Sequence, residues 1–161
     1  MRTIFLIIIT VLLAACQTAP KDAPPFSLAP AAPAGYGTLY LYRLDAPPYT
    51  GLIRLSVAGR PVLAAPEQAY TWIHLKAGEY TVLAEWPPQP GWKSVEGKFV
   101  VSGGSSTYVR AQAKVSINPA GWLTPGSIGK TSLLTLTPQD QGPTELKSCC
   151  RYLAGEFSIL K

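Results

Sequence analysis

Thr107 to Ile117 alternates without a break. Val109, Ala111, Ala113, Val115 and Ile117 stand against Tyr108, Arg110, Gln112, Lys114 and Ser116. Successive side chains on a β-strand point to opposite faces, so a period of two held this long commits the stretch to a strand with one apolar face. A single strand cannot bury that face alone, and the rest of the chain supplies partners. Thr38 to Arg43 carries leucines on one face and tyrosines on the other. Leu52 to Val57 sets Ile53, Leu55 and Val57 against Arg54 and Ser56, and Ala58-Gly59 turns it back into Arg60 to Leu63. Tyr70 to Leu75 is a further strand. Lys76-Ala77-Gly78 turns it into Glu79 to Trp86, where Tyr80, Val82, Ala84 and Trp86 share a face. Val95, Phe99 and Val101 mark another strand, with a bulge expected at Gly97. Thr131 to Thr137 reads as the last, after an irregular stretch from Asn118 to Lys130.

Short strands punctuated by Gly and Pro predict a mainly β chain, an antiparallel β-sandwich. The period changes once. Leu146, Cys149, Cys150 and Leu153 fall at i, i+3, i+4 and i+7, one stripe of a helix over Pro143 to Leu153. Pro143 suits its first turn and Gly155 its end. The fold expected is therefore a sandwich with a C-terminal helix over residues 36–161.

The amino-terminal part is of another kind. Met1-Arg2-Thr3 is short and basic, and Ile4 to Leu12 is apolar except for Thr10. A membrane-spanning helix needs about 20 apolar residues, so the run matches a signal peptide instead. Its end, Leu13-Ala14-Ala15-Cys16, resembles the lipobox of bacterial lipoproteins. The resemblance implies diacylglycerol on the sulfur of Cys16, cleavage before it, and usually a third acyl chain on the new amino terminus. Two or three such chains anchor a protein stably. Gln17 stands where an aspartate would favour the inner membrane, so the resemblance implies the outer membrane, with the domain facing the periplasm. Residues 1–15 are thus expected to be a signal peptide. Residues 16–35, dominated by Pro and Ala, form a lipidated tether that either stands off the membrane or lies along the domain.

The 161 residues carry 14 Lys and Arg against 9 Asp and Glu, a net charge of +5, reduced by one when Arg2 leaves with the signal. The charges are scattered. A mild positive balance suits anionic lipid or glycan, and nucleic acid is not an expected partner in that compartment.

Residues 36–115 resemble a domain of unknown function found in proteobacterial lipoproteins. The likeness rests on Leu39 to Arg43, on Val57-Ala58-Gly59-Arg60-Pro61-Val62, on Leu75, Gly78, Tyr80 and Val82, and on Tyr108-Val109. The Gly-x-Tyr-x-Val element also recurs in transthyretin-like and PEGA-type sandwiches. Ala58-Gly59 replaces the Asp-Gly usual in that domain. The resemblance supplies no catalytic residues.

No set of residues assembles into a catalytic centre. His74 is the only histidine, and its mid-strand place beside Trp72 and Tyr70 marks it as a structural or surface residue. A zinc site lacks ligands around it. Gly126-Ser127-Ile128-Gly129-Lys130-Thr131 resembles the end of a phosphate loop, but Thr124 stands where the first glycine belongs, so a plain loop is expected. Glu79 and Glu85 share a strand face about 20 Å apart, too far for paired glycosidase carboxylates. Cys149 and Cys150 are neighbours, and adjacent Cα atoms lie below the usual disulfide range. Free thiols are expected, at least one of them buried as a small hydrophobe, with a bond between two copies as the alternative.

The loop Trp86-Pro87-Pro88-Gln89-Pro90-Gly91-Trp92 is the strongest binding candidate. Trp86 is in phase with the strand core. Trp92 lies outside that phase: either it stands free of the core and, with Tyr49 of the other Pro-rich loop, forms a recognition surface, or it covers the sandwich edge. The sequence thus points to a lipoprotein that is not an enzyme and implies no cofactor. Its expected role is binding or assembly with an envelope protein, the alternative being recognition of glycan or peptidoglycan by the aromatic loop.

Overall fold

The computed structural model describes residues 18–44, 51–87, 92–118 and 127–156. Cys16 and Tyr49 lie outside these residues. The described strands are β1 (Tyr36–Arg43), β2 (Ile53–Val57), β3 (Arg60–Ala65), β4 (Ala69–Lys76), β5 (Gly78–Glu85), β6 (Val95–Val101), β7 (Ser106–Asn118), β8 (Ser127–Thr137) and β9 (Arg151–Tyr152). One short helix, α1 (Gly142–Cys149), precedes β9.

The strands form a β-sandwich. One sheet has the order β8-β7-β1-β4-β9 and the other β3-β2-β5-β6. Most neighbours are antiparallel, but β1 runs parallel to β7 and β4 parallel to β9. The period of two decides what lies between the sheets. Leu39 and Leu41 of β1, Ile73 and Leu75 of β4, and Val109 and Ala111 of β7 face Leu55, Val57, Val82, Ala84 and Val101 of the other sheet. Fully burying one such aliphatic side chain is worth about 1.5–3 kcal/mol.

The opposite face of the five-stranded sheet is buried too. Tyr40, Tyr42, Tyr70 and Tyr108 form a second core with Leu146 and Cys150. Residues 18–35 lie along this face, the second of the two arrangements open to the tether. Two of their backbone donors meet phenols: Ala29 N–H donates to the Tyr40 hydroxyl at 2.8 Å and Ser27 N–H to that of Tyr70 at 3.0 Å. Phe26 packs between the same two rings, 6.3 and 5.4 Å from their centroids.

Four expectations are corrected. The helix stops at Cys149, and the chain extends through Cys150 (φ −122°, ψ 149°) into β9, so only Leu146 and the cysteines belong to the tyrosine core. Leu153 packs against the sandwich core instead. Cys149 and Cys150 are joined in a disulfide, their Cα atoms 3.7 Å apart. The helix terminus permits this, because the bridge spans the last helical residue and the first extended one. Gly97 sits in a regular register with Val82, and the irregularity lies between Leu55 and Ser56. A Cβ at 97 would lie 2.9 Å from the Phe99 ring, so any other residue there has to displace that ring. Finally, Ser127 to Lys130 belong to β8, not to a loop, because they continue the ladder with Val115 to Asn118.

The registers also sort the connections. Tight turns at Ala58-Gly59, Ala77 and 102–105 close one end. The connections 44–52, 66–68 and 86–94 all leave from the other, as does the part of the β7–β8 ribbon that extends past Ala111.

Candidate functional site

The loop end is built around Arg43. It follows Leu39 and Leu41 in phase, so its side chain enters the sandwich, where it is wholly buried. The guanidinium donates to the Ala65 carbonyl at 3.0 Å and to the Gly51 carbonyl, and pairs with Glu67 at 3.5 Å. It also lies 5.5 Å from the centroid of the Trp86 ring, a cation–π distance. One buried cation thereby ties together β1, the start of β2, the end of β3 and the end of β5.

Trp86 is buried, as its phase predicts. Trp92 is buried as well, 7% exposed, its ring stacked on Trp86 at 5.5 Å and 20°. The expectation that Trp92 stands free of the core is therefore corrected. Its position outside the strand phase leaves the ring unassigned by pattern, and the neighbouring indole captures it. Lys130 of β8 covers the ring, its Nζ 5.9 Å from the centroid. Beside the pair, a cleft of about 410 Å³ is lined by Leu52, Ile53, Arg54, Ala64, Glu85 and Pro87. Arg54 and Glu85 are cross-strand partners at its rim. Such a cleft can hold an apolar group between opposite charges.

The tyrosine face carries a polar network that sequence reasoning missed. Tyr42 donates to Glu145 at 2.5 Å and meets the Thr137 hydroxyl at 2.6 Å. Arg110 pairs with the other Glu145 oxygen at 2.5 Å. Burial raises the Tyr42 pKa well above 10, and the bond to Glu145 raises it further. The phenol stays protonated, and the network pins α1 to the sheet. The available signal was Glu145, an acid in the first turn of a helix opposite a strand bearing Arg110.

His74 is 5% exposed, hydrogen-bonded through Nδ1 to the Thr38 hydroxyl at 3.2 Å and packed on Trp72. Burial lowers its pKa, so the ring is neutral near pH 7. Glu79 pairs with Lys98 at 3.2 Å on an exposed face. Among the described residues, no group of three or more His, Cys, Asp and Glu is placed to hold a metal ion.

A second cleft, of about 310 Å³, lies where residues 18–25 meet the end of α1. Lys21, Lys147 and Arg151 line it, with Thr18, Gln68 and Ser148. The Cys149–Cys150 disulfide forms part of its wall. Arg151 also donates to the Ala23 carbonyl at 3.2 Å. No helix among the described residues is long and apolar enough to cross a membrane. No protein-family model matches the chain, and no curated protein or solved structure matches it significantly.

Proposed function

We propose that this chain is an outer-membrane lipoprotein, anchored through Cys16 and facing the periplasm, whose β-sandwich is a non-catalytic binding or assembly module of the cell envelope. Leu13-Ala14-Ala15-Cys16 behind a short apolar run carries the anchoring part of the reading. The module part is supported by how the polar groups are used. Arg43, Tyr42, Glu145 and His74 are each engaged within the fold, as ties between elements. The long connections gather at one end, where connecting segments commonly carry recognition. An envelope protein is the partner this arrangement favours. Recognition of glycan by the aromatic loop is the weaker reading, because Trp92 spends its ring on Trp86.

Two measurements test this. Intact mass of the membrane-extracted protein should show acyl chains on residue 16, and Cys16→Ser should leave unprocessed precursor. A mature amino terminus without acyl mass refutes the anchor. Crosslinking in envelope membranes followed by pulldown should return a specific protein. Retention on purified peptidoglycan without such a partner favours the glycan reading, and turnover of a substrate refutes the non-catalytic one.

A further inference from the structure

The first described residues are already fixed to the domain. Thr18 bridges to Glu67, and Ala19 N–H donates to the Glu67 carbonyl at 2.8 Å. Only Gln17 separates Thr18 from Cys16. Two residues of chain span at most about 7 Å. A lipid on Cys16 would therefore bring the bilayer surface to within a few ångströms of the cleft that Thr18 lines. The docked segment 18–35 leaves no slack by which the domain could stand off.

That cleft is cationic. Lys21 and Lys147 are exposed, Arg151 is half-buried, and no Asp or Glu lines it. The nearest acids by chain are Asp22, exposed and next to Lys21, and Glu67, which is buried and paired with Arg43. Gln68 and Ser148 add hydrogen-bonding side chains to the lining. Three cations with amide and hydroxyl neighbours match the phosphate of a lipid headgroup. The loop end of the sandwich lies on the same side, since Ala69 begins β4 there and pairs with Arg151.

We infer that the basic cleft of Lys21, Lys147 and Arg151 is an anionic-phospholipid site that seats the domain on the membrane with its loop end toward the lipid. This rests on lipidation at Cys16. Charge and chain length point to the same occupant independently: the cations select an anionic surface, and the short connection delivers one.

The test uses the intact lipoprotein inserted into preformed vesicles of phosphatidylcholine, with or without phosphatidylglycerol. A water-soluble acylating reagent labels lysines, and mass spectrometry reads each site. Lys21 and Lys147 should label about fivefold more slowly on the phosphatidylglycerol vesicles, the factor one cation near an anionic surface is worth. Lys76, exposed at the far end, should label equally on both. Lys147→Gln, at an exposed position, should return most of the lost labelling at Lys21 while leaving the thermal melt unchanged. High salt should do the same. Equal labelling of Lys21 and Lys147 on the two vesicle types overturns the proposal, as does equal protection of Lys76. The intact mass of the same sample separates the two failures. Acylated protein without protection refutes the cleft alone, and protein without acyl mass refutes the anchor and the seat together.

Discussion

Arg43 offers the sharpest test of how the loop end is held. Its side chain is fully buried and its ion pair with Glu67 spans 3.5 Å. At an effective dielectric of about 20 that separation gives roughly 5 kcal/mol of attraction. Desolvating both groups offsets most of it, so the intact pair contributes little net stability. Breaking it is another matter. Arg43→Met keeps the packing volume but leaves Glu67, 8% exposed, without its cation. The Ala65 and Gly51 carbonyls lose a donor, and Trp86 loses the charge over its ring. The expected cost is about 3–5 kcal/mol, on the order of 10 °C in melting temperature. Glu67→Gln retains an acceptor and should cost about 1–2 kcal/mol. The double variant should be less destabilised than the two singles added, by at least about 1 kcal/mol, because it no longer holds a stranded charge. Urea unfolding followed by circular dichroism measures all four proteins, with an unchanged denaturant slope as the check on two-state behaviour. An Arg43→Met loss under about 1 kcal/mol, or strict additivity, would show that the ion pair does not hold this end together.

Trp92→Ala should destabilise about as much as Trp86→Ala, about 3–5 kcal/mol in urea unfolding, because both rings are buried and stacked. A melt within a few degrees of the parent would restore Trp92 as a free recognition residue. Ala58 has φ +49° ahead of Gly59 at +74°, the hairpin turn in which both central residues are left-handed, so Ala58→Asn should raise stability by about 1 kcal/mol, because the short amide side chain hydrogen-bonds the local backbone and offsets the cost of that conformation. No gain in the thermal melt would place the strain elsewhere. His74 has a folded pKa below its unfolded value near 6.5. The unfolded chain therefore binds the proton first, and stability falls as pH drops below about 6.5 until the folded ring also titrates. His74→Gln should flatten melting temperature against pH in that window, and an unchanged slope would assign the acid sensitivity to other groups.

The strands were legible because their signal is local. Leu39-Tyr40-Leu41-Tyr42 separates two faces by itself, and the hydrophobic core follows from the phase of each strand. Arg43 was legible in the same way, since it continues the leucine phase. What covers the tyrosines was not legible. Residues 18–35 have no period, and they dock because the phenols of Tyr40 and Tyr70 offer acceptors to isolated amides. The C-terminal stripe misled for a related reason. Leu146 and Cys150 do face one core, but a two-residue strand is too short to show a period, and Leu153 turns to the other core. Trp92 follows no strand phase, so only its tertiary neighbour, Trp86, decides where it goes.

The two parallel pairings have a consequence that no single strand carries. A parallel partner keeps its direction, so β7 leaves the sandwich at the end where β1 finishes, and β9 enters beside the start of β4. The long connections, the basic cleft and the first described residues thereby collect at one end. The far end is closed by the tight turns at Ala58-Gly59, Ala77 and 102–105. The outer face of the four-stranded sheet carries polar side chains such as Arg54, Glu79, Glu96 and Lys98. An envelope partner has two approaches to such a body. Docking on the loop end would compete with the bilayer for the same surface, and it would be strengthened by the charge substitutions that unseat the domain. Docking on the polar sheet face would be indifferent to them. Partner capture that rises with Lys147→Gln therefore marks docking on the loop end, and capture that does not change marks docking on the flank.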